Sequence, residues 1–320
     1  MARSQGAVKT VQIGIQGSGQ LVGDLPDPAC FKDVARLAED SGYDSLWAGD
    51  HVSFENPILD VTVALATFAA VTSRITIGAG IVLLPLRQPA LVAKQFSSLD
   101  YIAEGRIILG VGVGGEGAKD FEAVGVDPAE RRARADEAML VLRELFTRSP
   151  AAFEGSFSRF DGVSIEPLPA QPGGPPLWVG GRSRGAVRAT AELGDGWMPI
   201  WISTEQFVSG WEEIRRRAED VDRDVDAIVP AAVAPSLVGD DGADARRLAH
   251  EHLEARYGTT FSAHSIDRYC VAGSPEECRA RVRAYADAGV RHLIFNPAVA
   301  PDRLLEQVER LADALLPVGT

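Results

Sequence analysis

The sequence predicts an α/β fold, a (β/α)8 TIM barrel with insertions at the C-terminal rim, forming one domain over residues 1–320. Two observations carry that expectation. Apolar, β-branched runs start at Val11, Asp44, Ile75 and Arg106, which are 33, 31 and 31 residues apart. That interval accommodates a strand, a helix and two short loops, so the first half reads as successive βα units of a parallel sheet. Further strand candidates at 176–181, 194–200, 226–237 and 291–298 bring the number to eight, and most are separated by helical patterns, which favours a closed barrel over an open doubly wound sheet.

The elements follow in order. After "VQIGIQ" at Val11 comes "PACFKDVARLAEDSGY", with Phe31, Val34, Leu37 and Ala38 at helical spacing and a stop near Gly42. "DSLWAG", "ITIGAGIVLL" and "RIILGVGV" supply the next three strands, and helices are expected over 128–146, 204–219, 274–288 and 301–316. Two longer segments interrupt the pattern. The stretch 152–176 is rich in Gly, Pro and aromatics and reads as a hairpin plus an extended connection, and 239–272 follows the seventh strand. Both are expected to decorate the rim and to contribute to specificity.

Composition narrows the function classes. A hydrophobic fraction of 46% and a charged fraction of 24% belong to an ordinary globular chain, while 32 Lys and Arg against 45 Asp and Glu leave a net charge of −13. Such a balance argues against a nucleic-acid or anionic-membrane partner. Cys30, Cys270 and Cys278 have neither the number nor the spacing of a disulfide scaffold or a structural zinc site, and no HxH opens the first strand, so no metal is expected. "MARSQGAVKT" lacks the apolar region of a secretory signal, and "IGAGIVLLPL" is too short to span a membrane; a cytoplasmic protein is the expectation.

Candidate chemistry lies where strands end. "LWAGDH" stops being apolar at Asp50 and His51, the carboxyl end of the second strand, where a barrel places its catalytic side chains. His51 is the candidate for proton exchange, with Asp50 orienting it; the bland alternative is a turn cap beside a surface histidine. Gly78 and Gly80 sit inside the third strand, as packing glycines or as a close backbone approach to a ligand. In "LWVGGRSRGAVRATAELGDGWMP", Gly180, Gly181, Arg182, Ser183 and Arg184 meet the start of a helix, which makes an anion site; the alternative is a plain βα turn. "GVGVGGEG" satisfies GxGxxG through Gly112, Gly114 and Gly117 but lies in the fourth βα unit without the expected acidic partner, so it reads as a rim loop with Glu116 as a pocket carboxylate. Trp197 and Trp201 are candidates for lining a pocket or for packing, and His250, His252 and His292 read as structural.

Together, "GYDSLWAGDH", "TSRITIGAGIVLLPLRQPALVAKQFSSLDYIAEGRIILGVGVGG", "PPLWVGGRSRGAVRATAELGDGWMP" and "GSPEECRARVRAYADAGVRHLIFNPA" resemble the bacterial luciferase-like superfamily of flavin- and deazaflavin-dependent oxidoreductases, over nearly the whole chain. The resemblance implies a barrel that binds the deazaflavin coenzyme F420, or alternatively FMN, at its carboxyl end. Asp50 and His51 would lie beside the ring, Gly180, Gly181, Arg182 and Ser183 would hold the phosphate, and Gly80–Ile81 would be a non-prolyl cis peptide in a bulge. It departs from the family at Gln88, where many relatives have a basic residue, and at Glu116, one position from the usual carboxylate. The implied reaction is hydride transfer between F420 and a small-molecule organic substrate, with His51 or Glu116 exchanging the proton. An FMN-dependent monooxygenase fed by a separate flavin or F420 reductase, and a non-catalytic cofactor-binding relative, are the alternatives; a homodimer is the expected assembly.

Overall fold

The computed structural model describes residues 11–18, 22–115 and 117–316. Its strands are β1 (Gln12–Ser18), β2 (Ser45–Ala48), β3 (Thr76–Leu83), β4 (Ile107–Gly112), β5 (Ala151–Glu154), β6 (Arg159–Val163), β7 (Leu177–Gly180), β8 (Gly196–Met198), β9 (Val229–Val238), β10 (Val271–Gly273) and β11 (His292–Pro297). The helices are α1 (Pro28–Asp40), α2 (Val61–Ala69), α3 (Pro89–Ile102), α4 (Ala118–Val124), α5 (Arg131–Thr147), α6 (Arg184–Leu193), α7 (Thr204–Asp220), α8 (Gly242–Tyr257), α9 (Ala263–Tyr269), α10 (Pro275–Asp287) and α11 (Leu304–Leu315).

Strands β1, β2, β3, β4, β7, β8, β9 and β11 pair in parallel in that order, and β11 returns to β1, closing the (β/α)8 barrel expected from the repeat. The short strand β10 extends the far end of β9, from Ser236 to Val238. Sequence and local structure agree closely where capping is strong. In α1, Asp27 caps the helix by accepting from the Ala29 N–H at 2.8 Å, Pro28 opens it, and Phe31, Val34, Ala35 and Ala38 are buried on one face. Serine capping boxes start α7 (Ser203 with Gln206) and α10 (Ser274 with Glu277).

Two apolar layers hold the fold. Outward-facing strand residues and the inner helix faces form the larger one. Inside the barrel, Trp47, Ile108, Trp178, Met198, Ala231, Val233 and Ile294 fill the interior, with the Trp47 and Trp178 rings 5.4 Å apart. Complete burial of a large apolar side chain contributes about 1.5–3 kcal/mol. Gly78 belongs to this packing, because a Cβ there would meet the Trp47 ring at 2.3 Å. At the bottom of the barrel Trp47 Nε1 donates to Ser45 Oγ at 2.7 Å, and Ser45 Oγ is 2.6 Å from His292 Nε2. Burial pushes His292 down to about 4, so the ring is a neutral member of a structural network, as the sequence reading held.

The two long segments divide. The stretch 152–176 does contain a hairpin, β5 antiparallel to β6, but it lies against the barrel flank: Ser156 and Phe157 N–H groups bond to Glu137 of α5, and Gln171 bonds to Asp100 of α3. At its tip, Phe157 and Ser158 border a groove with Leu84, Pro85 and Leu86, just beyond the carboxyl end of β3. The 239–272 segment folds into α8 and α9 and does reach the rim, where Trp201, Tyr257, Phe261 and Tyr269 cluster; the Trp201 and Phe261 rings stack at 4.8 Å. Among the described residues no helix is long and apolar enough to cross a membrane.

Candidate active site

A cavity of about 250 Å³ opens at the carboxyl ends of the barrel strands. Gln16 of β1, Gly49, Asp50 and His51 beyond β2, Gly80 and Ile81 of β3, Val113, Gly114 and Gly115 beyond β4, Gly180 and Gly181 at the end of β7, and Met198, Val233 and Asn296 line it. Arg256 and Tyr257, from the end of α8, complete the wall. The mouth of the barrel is therefore where the sequence placed it.

His51 is built into this wall by Asp120, a residue that the sequence reading missed. His51 Nδ1 is 2.7 Å from Asp120 Oδ2, while Asp120 Oδ1 accepts the N–H groups of Val52 and Ser53 at 2.8 and 2.7 Å. Both side chains are largely buried, at 10% and 2% exposure. A carboxylate in that position accepts, so Nδ1 carries the hydrogen of this bond. The Phe54 ring packs on the imidazole at 4.4 Å between centroids.

Asp50 has a different partner. Its carboxylate receives Arg87 Nη2 at 2.5 Å and Nε at 3.1 Å, and the Leu83 N–H at 3.2 Å. Arg87 also reaches Asp60 at 3.0 Å. Burial lowers the Arg87 pKa, but the two carboxylates outweigh it and hold the group above its ordinary value. The bidentate arginine and the Leu83 N–H occupy the Asp50 carboxylate and tie it to the end of β3, while the carboxylate bonded to the His51 ring is that of Asp120. Arg87, one position before Gln88, supplies a cation next to the position where the sequence lacks the familiar basic residue.

The third strand carries the expected feature. The Gly80–Ile81 peptide is cis, and the β3–β4 register shifts between Ala79 and Val82, a bulge that presents Ile81 to the cavity. The β4 glycines pack against it, since a Cβ on Gly112 would meet Ile81 Cδ1 at 1.9 Å.

The "GGRSRG" loop turns at Gly181, whose φ of +97° favours glycine, and Ser183 caps α6 by accepting from the Ala186 N–H at 3.2 Å. Gly180 and Gly181 reach the cavity, whereas the Arg182 guanidinium donates to the Trp201 carbonyl and lines a neighbouring groove with Trp197. Two arginines at the start of α5 were not anticipated. A Cβ on Gly115 would lie 3.8 Å from Arg131 Nη1, and one on Gly185 would lie 3.3 Å from Arg132 Nε, so both stand beside the glycine loops. Glu116 lies outside the described residues. Trp197 and Trp201 pack: Trp197 stacks on Phe207 at 5.1 Å, and Trp201 belongs to the aromatic cluster. Among the described residues no group of three or more His, Cys, Asp or Glu side chains is placed to hold a metal ion.

A parallel barrel with a glycine-walled mouth and a carboxylate-held histidine defines the class: a barrel enzyme scaffold whose site lies at the strand ends. The chain belongs to the luciferase-like monooxygenase family, whose model matches residues 8–292. It is 28% identical over 309 residues to an F420-dependent glucose-6-phosphate dehydrogenase of Kineococcus radiotolerans, covering 88% of this chain and 90% of the relative. Among solved structures, a monooxygenase from Streptomyces bottropensis superposes with a TM-score of 0.84 at 24% identity, covering 96% of this chain and 99% of that one. An F420-dependent secondary alcohol dehydrogenase, solved with an F420-acetone adduct, gives a TM-score of 0.83 at 18% identity, covering 96% and 99%. Oxygenases and dehydrogenases thus share the fold, and the site has to distinguish them.

Proposed function

We propose that this chain is an F420-dependent oxidoreductase that moves hydride between the deazaflavin and a small organic substrate in the cytoplasm. The observation that carries the reading is the His51–Asp120 pair on the wall that also holds the Gly80–Ile81 bulge, and the F420 dependence named for the Kineococcus relative supports the coenzyme.

The residues present fit such a coenzyme. Gly180 and Gly181 offer backbone without Cβ, α6 begins directly after them with N–H groups available to an anion, and Arg131 and Arg132 stand beside the same loops. We assign the phosphate to Gly180, Gly181, the backbone of Arg182 and Ser183, and the two α5 arginines, and the ring to the wall of Gly80, Ile81 and His51. When bound, F420 supplies two-electron hydride chemistry. His51 Nε2 takes the proton released as a substrate hydroxyl is oxidised, or returns it in the reverse direction, while Asp120 holds the ring in place. Asp50, clamped by Arg87, keeps the bulge against the rim. Glu116, beside Gly115, is a second acid-base candidate.

A separate F420 reductase would return the coenzyme to the other redox state. A homodimer is supported by Leu91, Tyr101 and Ile102 of α3 and Val63 of α2, large apolar side chains that are more than half exposed. The test is anaerobic turnover: purified protein, F420 and a panel of hydroxylated compounds, following the absorbance of the oxidised deazaflavin. Its bleaching together with substrate oxidation supports the reading. Oxygen consumption that requires FMN and a reductase would replace it with monooxygenation, and cofactor binding without turnover on any compound would favour a non-catalytic relative.

A further inference from the structure

Arg256 stands in the cavity wall at the last turn of α8, and its residue is only 4% exposed. Its guanidinium donates to Asn296 Oδ1 at 3.0 Å and to the Pro297 carbonyl at 2.7 Å, and Nη2 is 3.0 Å from His252 Nε2. All three acceptors are neutral, because burial and the adjacent guanidinium push His252 down to about 3. Arg256 Nε is buried without a hydrogen-bond partner. Among the described residues no carboxylate pairs with this cation; Tyr257 interacts with it through charge and a side-chain hydrogen bond. The contrast within the same mouth is with Arg87, which is clamped between Asp50 and Asp60. A buried guanidinium is costly to leave uncompensated, and its unpartnered Nε is a charged donor that an oxyanion would satisfy. Asn296 also lines the cavity, and because its Oδ1 accepts from Arg256 its Nδ2 is a second donor type at the same wall.

We propose that Arg256, with Asn296, receives an oxyanion of the substrate, a carboxylate or a phosphate, so that the enzyme selects anionic substrates over their neutral counterparts. The inference rests on the reading of this cavity as the catalytic mouth. It gives α8, an element of the 239–272 insertion, the specificity role, with the oxyanion at one wall and the proton-exchanging His51 at another.

The experiment is calorimetric titration of F420-loaded protein with inorganic phosphate and, separately, with acetate, using chloride as the control. Loading fills the coenzyme's own phosphate subsite, so remaining oxyanion binding reports the second site. Wild-type protein is expected to bind at least one of the two saturably, and which one it prefers separates phosphate from carboxylate. Arg256→Gln should weaken that binding about 10- to 100-fold, the loss of a charge-assisted bond, and Arg256→Lys should restore part of it. Because Arg256→Gln removes bonds that tie α8 to β11, Asn296→Asp provides a second arm: it keeps Arg256 and supplies the missing carboxylate, and should also abolish oxyanion binding. Saturable binding of neither anion by wild-type protein, or undiminished binding by folded Arg256→Gln or Asn296→Asp, would overturn the proposal. Failure of wild-type protein to bind F420 would instead contradict the coenzyme reading, and the same difference between wild type and Asn296→Asp, measured with acetate on unloaded protein, would still decide the role of Arg256.

Discussion

His51 Nδ1 lies 2.7 Å from Asp120 Oδ2, across 69 residues of sequence, while Asp50, the immediate neighbour of His51, is bound to Arg87. The two carboxylates of the rim therefore do different work. Asp120 fixes the tautomer and orientation of a titratable ring, and Asp50 anchors a backbone bulge.

If His51 Nε2 exchanges the substrate proton, His51→Asn should lower the rate of the chemical step by roughly 10²–10⁴-fold and change coenzyme affinity much less. Asp120→Asn should also slow the chemistry, because an amide can donate to Nδ1 and reverse the tautomer. Single-turnover kinetics over a pH series check both. Wild-type turnover and an unchanged pH profile in folded His51→Asn would reduce the residue to a cofactor-positioning group.

The eight-strand barrel was legible because strand and helix periods repeat along the chain, and the mouth was legible because apolar runs stop at its edge. Gly80–Ile81 was found through a family resemblance, since nothing in the local composition reports a cis bond. Asp120 and Arg87 were not found. Each pairs with a residue of another βα unit, at separations of 69 and 37 residues, and such pairing depends on barrel register, which one sequence does not encode locally. Arg256 was hidden for a related reason: helix α8 reads as an ordinary charged helix, and only its docking against Asn296 and Pro297 reveals a buried cation.

The glycines of β4 should respond differently to a methyl group. On Gly110 a Cβ would lie 2.1 Å from the Ala79 carbonyl oxygen, a backbone atom of the adjacent strand; on Gly112 it would meet Ile81 Cδ1, the tip of a side chain that can turn. Gly110→Ala is expected to cost about 1–3 kcal/mol or more in urea unfolding. Gly112→Ala should cost less stability but weaken coenzyme binding, because Ile81 is displaced at the cavity wall. Equal effects on stability and on binding in both variants would contradict this division.

Stability should fall on mild acidification. His292 is neutral in the fold, with its pKa depressed to about 4 from an ordinary 6.5, so between those values the unfolded chain binds more protons than the folded one. Its contribution is complete above pH 6.5 and is lost progressively as the pH falls toward 4. Between pH 7 and pH 5 the loss from this one group is about 2 kcal/mol. Denaturation curves at the two pH values should show it, and His292→Gln should flatten the dependence by a similar amount; a wild-type protein equally stable at both would show that the ring is not held neutral by burial.

Whether this mouth is built for a deazaflavin is tested by an equilibrium titration of the purified apoprotein with F420 and with FMN, followed by fluorescence quenching, for wild type and for an Arg131→Ala, Arg132→Ala double variant. Wild-type protein is expected to bind F420 more tightly than FMN and to lose roughly 10-fold or more in F420 affinity when the two arginines beside the glycine loops are removed. Preferential binding of FMN, or F420 affinity indifferent to both arginines, would contradict the deazaflavin reading.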